Sequence, residues 1–251
     1  GVAAKSVAER VAAKTVLAEI PMWVLRAQPV VPYEDDEITR AIDDGIDPVA
    51  YDKIKDKTVA EMRAWILDEN TTSEDIAAIS KGLTGEMAAA VAKLCSSLDL
   101  VLGGHKMPCV VHNVCTMGLP GRIGSRLQPN HPTDDVDAIR AEIYDGLAFC
   151  IGDQVIGINP AIDQVENLMK LYDMMWDIKQ KWEIPASNCI LGHVTTQMEC
   201  LKKGAKIGQV FQSIAGTQAA LESFGVEVGM LDAANELAKK DCDSEGPNYM
   251  Y

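Results

Sequence analysis

Aromatic residues are scarce in this sequence, since Phe, Trp and Tyr make up only 5% of its 251 residues. A hydrophobic core must therefore be built chiefly from Ala, Val, Ile, Leu and Met. No apolar run reaches the roughly 18 residues that a membrane span requires, and the N-terminus has no signal-peptide layout. It also lacks an initiator Met, which predicts that the chain begins inside a longer protein.

Basic blocks and paired cysteines are missing as well. The 37 Asp and Glu residues outnumber the 23 Lys and Arg residues, which gives a net charge of −14. A chain this acidic should be repelled by nucleic acid and by anionic membrane surfaces, so neither is an expected partner. The 7 Cys residues are an odd number with no C-x-x-C pair. This pattern fits a reducing cytosol better than a secreted disulfide framework.

Residues 1–112 are predicted to form an N-terminal helical region. Asp47-Pro48 is typical of a helix start, because Asp can cap the helix and Pro fits its first position. Thr58 and Glu61 have the spacing of a capping box, in which each side chain accepts a bond from a backbone N–H. An Ala-rich stretch at residues 86–95 predicts a further helix that can pack closely.

Residues 113–251 show a different pattern, in which short apolar runs alternate with amphipathic helices. Strands are predicted at residues 154–159, 189–194 and 207–213. Between strands, apolar residues recur three or four positions apart, as at Val136, Ile139, Ile143 and Leu147. Strands alternating with helices in this way predict a parallel sheet, either doubly wound or closed as a (β/α)8 barrel.

Nucleotide-binding loops of the doubly wound type are absent, since no G-x-G-x-x-G follows a predicted strand and no P-loop occurs. The barrel is favoured instead, because polar residues recur where successive strands end, and such ends converge on the catalytic face of a barrel. These ends carry Arg126 with Gln128, Asn159-Pro160, His193 and Gln212-Ser213. We therefore expect an α/β fold of the (β/α)8 TIM-barrel type, first half only, with about four βα units and a fifth strand starting near Asn248.

Four stretches of sequence occur in a specific order: SRLQPNHPTDD from Ser125, IGDQVIGINP from Ile151, LGHVTTQ from Leu191 and VFQSIAG from Val210. Together they resemble the large subunits of ethanolamine ammonia-lyases. The N-terminal stretches YEDDEITR and KGLTGEMAAAVAKLC are similar to the helical lead-in of the same family. The resemblance covers essentially the whole chain, and the combination makes it specific because no single motif would suffice.

The resemblance implies an adenosylcobalamin-dependent carbon–nitrogen lyase with a (β/α)8 barrel, which converts ethanolamine to acetaldehyde and ammonia by radical chemistry. Arg126 and Gln128 match an Arg-x-Gln pair that contacts substrate, with Arg126 as the catalytic residue. Asn159 matches a substrate-contacting Asn. Pro160 and Gln212 match positions that contact the cobalamin, and no metal-ligand set within the chain itself is implied.

Partners and a location are also implied by the resemblance. The expected partners are the small subunit of the same lyase, which contributes to cobalamin binding, and other large subunits in a higher oligomer. The expected location is the cytoplasm, with a bacterial microcompartment as the narrower alternative. In the family the chain continues beyond Tyr251 into segments that carry a substrate-binding Glu and an Asp. The 251 residues are therefore expected to lack both termini and to be inactive alone.

Two other functions stay open at this stage. One is a barrel aldolase or lyase with a Schiff-base Lys, although strand-end lysines are missing; the other is a truncated, non-catalytic paralogue that serves only as an assembly piece.

His193 is either a pocket residue or a buried, satisfied histidine. The stretch HKMPCVVHNVC superficially resembles a zinc site, but four ligands so close together rarely close a tetrahedron, so no metal is expected there.

Overall fold

The structure, a computed structural model, describes residues 3–243 and 249–251. The chain divides into two units. The first contains the described residues up to Pro108 together with Gly216–Ala219, and the second contains Cys109–Ala215 and the described residues from Ala220 onwards. The division expected from the sequence lies four residues later, after residue 112. Within the described ranges, no helix combines the length and the apolar character needed to cross a membrane.

Helices dominate the described part of the first unit. They are α1 Val7–Ala18, α2 Met22–Ala27, α3 Glu37–Asp44, α4 Pro48–Asp52, α5 Val59–Leu67, α6 Ser73–Ser80, α7 Gly85–Leu94 and α8 Ser97–His105, with a 3-10 turn at Tyr33–Asp35. The predicted Ala-rich helix corresponds to α7. The core of the first unit is aliphatic and Met-rich, as the low aromatic content requires, and includes the fully buried Met22, Val59, Met62 and Met87.

Capping side chains explain where two of these helices begin. Thr58 Oγ1 accepts a hydrogen bond from Glu61 N at 3.1 Å, and Glu61 Oε2 accepts one from Thr58 N at 2.8 Å. The predicted capping box of α5 is therefore confirmed. Asp47 Oδ1 accepts a bond from Val49 N at 2.8 Å, and Pro48 occupies the first position of α4, as predicted.

The second unit combines parallel strands with helices. Its elements are β1 Val111–His112, β2 Thr116–Met117, β3 Arg126–Leu127, α9 Val136–Ala148, β4 Val155–Ile158, α10 Val165–Trp182, β5 Ser187–Ile190, α11 Val194–Lys202 and α13 Val228–Asp241. Helix α12, Gln218–Glu222, includes residues of both units. Strands β1 and β2 pair antiparallel, whereas β3, β4 and β5 form a parallel sheet in that order. The α/β class is confirmed, and closure into a barrel stays a prediction.

The strand predicted at residues 207–213 is much shorter than expected. In the described residues it is reduced to one parallel bridge, between Val210 and Met250. The backbone still extends the sheet, since Gln209 N donates to Asn188 O at 3.0 Å and Val210 N donates to Tyr249 O at 2.8 Å. A continuous ladder needs a partner along its whole length, and among the described residues this side offers Asp243, whose N donates to Ile207 O at 2.7 Å, and residues 249–251. Residue 248, where the fifth strand was expected to start, lies outside the described residues.

Helices α9 and α10 pack their apolar faces into the core of the second unit, although Trp182 at the end of α10 is exposed. Ile139 and Ile143 of α9 are fully buried, and so are Leu168 and Met175 of α10. Helix α10 contacts both α9 and β5, and α11 contacts α13. Burying a side chain of this size contributes roughly 1.5–3 kcal/mol. The core of the second unit therefore lies between the strands and these helices, and it leaves the strand ends to carry polar groups.

Candidate functional site

The predicted substrate residues come from the ends of two neighbouring strands of the parallel sheet. Arg126 pairs with Val155 in the ladder between β3 and β4. Because side chains alternate between faces along a strand, Arg126 shares a face with Val155 and Gly157. Asn159 N also donates to Pro129 O at 3.2 Å, which continues the alignment beyond the strand ends. Arg126, Gln128 and Asn159 therefore lie close to the ends of neighbouring strands, on two segments that stay paired beyond the ladder.

Arg126 reaches across this face to the last described segment of the chain. Its Nη1 donates to the Tyr251 hydroxyl at 2.7 Å, and its Cζ lies 4.9 Å from the centroid of the same ring. Its Nε and Nη2 are buried and have no hydrogen-bond partner among the described residues. A buried donor without a partner costs roughly 1–3 kcal/mol. An acceptor supplied by a ligand, or by another segment of chain, would therefore be stabilising at this position.

Gly157 makes room for this guanidinium. A Cβ at position 157 would lie 2.9 Å from Arg126 Nη2, 3.0 Å from Arg126 Nε and 3.0 Å from Cys189 Sγ. Burial raises the pKa of Cys189 to about 11, although the nearby Arg126 guanidinium acts in the opposite direction. The thiol therefore remains protonated at neutral pH and gives Arg126 no counter-charge.

Gln128 and Asn159 present their side chains to solvent. Both residues are exposed. A side-chain amide carries an acceptor oxygen and two N–H donors, so each can bind a hydroxyl or an ammonium group. The site can thus combine a fixed positive charge with two adaptable polar groups.

The side-chain amide of Gln212 already makes two hydrogen bonds within the protein. Its Oε1 accepts a bond from Val194 N at 2.8 Å, at the start of α11, and its Nε2 donates to Ser213 O at 2.9 Å. Its backbone N donates to Tyr251 O at 3.2 Å, so Tyr251 links Gln212 to Arg126. Among the described residues, these bonds leave one lone pair and one N–H of the amide for a ligand.

Apolar side chains accompany the two predicted cofactor residues. Pro160 is half-buried, and Ile162, two residues further along, is 43% exposed. Ile214, two residues after Gln212, is 70% exposed. Exposed aliphatic groups beside amides suit a large ligand that has both apolar faces and polar edges.

His193 serves as the capping residue of α11. Its Nδ1 accepts a bond from Thr195 N at 3.3 Å and lies 2.7 Å from Thr195 Oγ1. Its backbone N donates to Asp163 Oδ2 at 2.7 Å, which ties this loop to the loop after β4. Of the two interpretations left open by the sequence, these bonds favour the satisfied histidine, which is half-buried rather than buried.

Gln197 is a fully buried residue that the sequence did not single out. Its Nε2 donates to Gly192 O at 2.7 Å and to Phe211 O at 2.6 Å, and its Oε1 accepts bonds from Phe211 N at 3.0 Å and from the Tyr172 hydroxyl at 3.3 Å. The amide therefore acts as a strand partner for Phe211, whose ring centroid lies 5.7 Å from that of Tyr251. The sequence feature that could have drawn attention to Gln197 is its position as the last residue of the LGHVTTQ motif.

The stretch at residues 105–115 gives no indication of a zinc site. His105 lies in the last turn of α8, and His112 Nδ1 lies 3.2 Å from Thr116 Oγ1 on the neighbouring strand. Throughout the described ranges, no three His, Cys, Asp or Glu side chains come together in a group that could hold a metal ion.

Fold and site together point to a class of protein. A parallel α/β sheet with an Arg, two amides and an exposed apolar rim at its strand ends is typical of α/β enzymes that bind a small polar substrate. The profile of the family described as ethanolamine ammonia lyase large subunit (EutB) matches residues 1–251. The chain therefore belongs to the ethanolamine ammonia-lyase large subunit family.

Curated relatives give the extent of the similarity. The ethanolamine ammonia-lyase large subunit of Escherichia coli strain K12 is 47% identical over 251 residues, which cover 100% of this chain and 55% of the relative. The protein of the same name from Salmonella typhimurium strain LT2 is also 47% identical, with the same coverage. The chain thus spans about half the length of these curated relatives.

Proposed function

We propose that this chain is part of an ethanolamine ammonia-lyase large subunit that converts ethanolamine to acetaldehyde and ammonia with adenosylcobalamin. Family membership over residues 1–251 carries the proposal. The position of Arg126, Gln128 and Asn159 at the ends of two paired segments supports it, because these are the residues that the family resemblance assigns to the substrate.

The proposed fold is a (β/α)8 barrel, with residues 113–251 as its first half and residues 1–112 as a helical region before it. The contact between Arg126 and Tyr251 supports a strongly curved sheet. Five neighbouring segments run from β3 through β4, β5 and the 209–212 segment to residues 249–251. In a flat sheet, four gaps of about 4.8 Å would separate the first from the last by roughly 19 Å. The side chains of Arg126 and Tyr251 nevertheless form a hydrogen bond of 2.7 Å. The two outer segments must therefore lie closer together than in a flat sheet, which favours a sheet that curves toward a closed barrel.

In the proposed substrate complex, Arg126 donates to the hydroxyl oxygen of ethanolamine from its unpartnered Nε and Nη2. A guanidinium presents its N–H donors in a rigid planar fork, which suits a fixed contact to a hydroxyl oxygen. Gln128 and Asn159 hold the hydroxyl and the amine, because each amide can donate and accept. Radical chemistry needs fixed polar groups around the substrate and exclusion of water more than it needs strong acids or bases.

The residues near Pro160 and Gln212 fit a cobalamin. A corrin has broad apolar faces bordered by amide groups, which match the exposed Ile162 and Ile214 and the remaining donor and acceptor of Gln212. Bound adenosylcobalamin would supply a deoxyadenosyl radical by homolysis of its cobalt–carbon bond. The contribution of this chain is to hold the corrin beside the substrate face.

The proposed partners are the small subunit of the lyase and further large subunits in a higher oligomer. The proposed location is the cytoplasm, with a bacterial microcompartment as the narrower site. The names of the relatives support the subunit part, because a large subunit implies a small one.

The test uses the complete gene product expressed with its small subunit, adenosylcobalamin and ethanolamine, with acetaldehyde as the readout. We expect wild type to form acetaldehyde and Arg126→Ala to lose about 100-fold or more in kcat/KM, because a charged donor to the reacting centre is removed. The matched control is Arg122→Ala, an exposed Arg four residues earlier, which should retain wild-type kinetics. Parallel assays with 2-aminopropanol measure the preference among amino alcohols.

Two results would contradict the proposal. The first is a complete, folded complex that binds cobalamin and forms no product, which would favour the non-catalytic assembly piece. The second is equal loss of activity in the Arg122 and Arg126 variants, which would remove the specific role of Arg126.

A further inference from the structure

Asp134 is a buried carboxylate between two strand-end loops. It is 4% exposed, and its backbone adopts the left-handed conformation with φ 51°. This conformation is uncommon for residues with a side chain, although Asp and Asn adopt it more readily than most. Burial of a charged group in such a backbone conformation is costly unless its oxygens are satisfied.

Three N–H donors satisfy the carboxylate, and all belong to the segment after β4. Oδ1 accepts a bond from Ala161 N at 2.8 Å, and Oδ2 accepts bonds from Ile162 N at 2.8 Å and from Asn167 Nδ2 at 2.8 Å. Asn167 Nδ2 also donates to Ile162 O at 2.9 Å, which fixes the same turn from its other side. Asp134 therefore ties the loop after β3 to the loop after β4.

The residues held by Asp134 directly follow the proposed site residues Asn159 and Pro160. Pro has no backbone N–H, so Ala161 and Ile162 supply the first two donors after Asn159, and Asp134 binds both. Further toward the strand, Asn159 N donates to Pro129 O at 3.2 Å. The segment that carries Asn159 and Pro160 is thus fixed at both ends to the loop that follows Arg126 and Gln128.

We propose that Asp134 is a positioning residue that sets Asn159 and Pro160 relative to Arg126 and Gln128. The inference rests on the proposed function and deepens it, because it states how one half of the substrate site is held against the other. Hydrogen bonds to a charged acceptor are short and strong, so the two loops are held at a defined distance. Productive geometry tolerates only small displacements, since a misplacement of about 1 Å can lower a rate about 100-fold.

The neighbouring Asp135 provides a matched control. It is exposed, and its Oδ1 accepts a bond from Ala138 N at 2.8 Å as the N-terminal cap of α9. Asn caps a helix as well as Asp does, so Asp135→Asn should change little. In Asp134→Asn one oxygen becomes an NH₂ group, and in either orientation this group faces at least one N–H donor. The two variants therefore have the same chemical change at adjacent positions but opposite expected outcomes.

The experiment measures kcat and KM for ethanolamine in the complete gene product with its small subunit and adenosylcobalamin. We expect Asp134→Asn to raise KM about tenfold or more, whereas Asp135→Asn stays within about twofold of wild type. A role in folding alone would lower the amount of active enzyme at an unchanged KM. Asn167→Ala, which removes one of the three donors, should raise KM by an intermediate amount, and it also provides a test if Asp134→Asn does not fold.

Amide hydrogen exchange over residues 159–164 tests the positioning without reference to activity. We expect faster exchange in Asp134→Asn than in wild type and no change in Asp135→Asn. The inference is overturned if acetaldehyde forms and KM is unchanged in both the Asp134 and the Asn167 variants, or if exchange does not distinguish Asp134→Asn from Asp135→Asn. If wild type forms no acetaldehyde, the proposed function fails and the catalytic part of the inference fails with it, while the exchange data still decide whether Asp134 fixes the loop.

Discussion

The substitution Gly157→Ala should displace Arg126 at a moderate cost in stability and at a large cost in activity. The added Cβ would lie 2.9 Å from Arg126 Nη2, a distance at which one of the two groups must move. Position 157 lies in a buried strand, whereas the guanidinium is the end of a flexible side chain. Arg126 is therefore the group that moves, and its bond to the Tyr251 hydroxyl is lost with it.

The size of the effect follows from these contacts. Overpacking in a folded protein costs about 1–3 kcal/mol, and replacing Gly by Ala recovers about 0.4–1 kcal/mol through the unfolded chain. We therefore expect a decrease of between about 0 and about 2.6 kcal/mol in the free energy of unfolding. A guanidinium displaced by about 1 Å should lower kcat/KM about 100-fold.

Urea unfolding and acetaldehyde formation, both measured on the complete complex, give the two quantities. The control is Gly229→Ala in α13, where an added Cβ would meet none of the described atoms beyond its own helix backbone and neighbouring residues within 4 Å, so that stability should stay the same or rise by up to about 1 kcal/mol. In an Arg126→Ala background the cost of Gly157→Ala should shrink by about 1 kcal/mol, leaving mainly the 3.0 Å contact with Cys189 Sγ. Wild-type kinetics in Gly157→Ala, or an undiminished cost in the double variant, would refute the reasoning.

Two further predictions concern stability. Thr58→Ala removes the hydroxyl that caps α5 and should lower the free energy of unfolding by about 1 kcal/mol in urea titrations; an equal loss in Thr15→Ala, an exposed helical Thr, would contradict the capping role. Burial raises the pKa of Cys189 from 9.0 to about 11, so the folded state keeps a proton that the unfolded state loses, and stability should fall as the pH rises from 9 to 11. Cys189→Ser should make that fall less steep, and identical slopes with and without the thiol would show that the group does not titrate as the structure implies.

The features that could be predicted from the sequence are those that depend on local interactions. Thr58 and Glu61 lie three residues apart, and Ile139 and Ile143 four apart, so the capping box and the buried face of α9 depend only on near neighbours. The strand-end polar residues were predicted for the same reason, since a run of apolar residues followed by Asn159 marks the end of a strand. The strand at residues 207–213 was predicted too long, because strand length depends on a partner that is distant in the sequence.

The sequence by itself determined the α/β class, the caps, the helical faces and the order of the motifs that place the chain in its family. Only the tertiary structure decided which of these groups meet. Arg126 and Tyr251 are 125 residues apart, and their contact depends on how the intervening strands are registered and curved. Asp134 and Asp135 are adjacent residues of the same type. Asp134 is nevertheless buried against a neighbouring loop, whereas Asp135 is exposed at the start of a helix. Helix signals come from contacts within a few residues, whereas burial and cross-strand bonds form only when distant segments are brought together, so no short stretch of sequence can specify them.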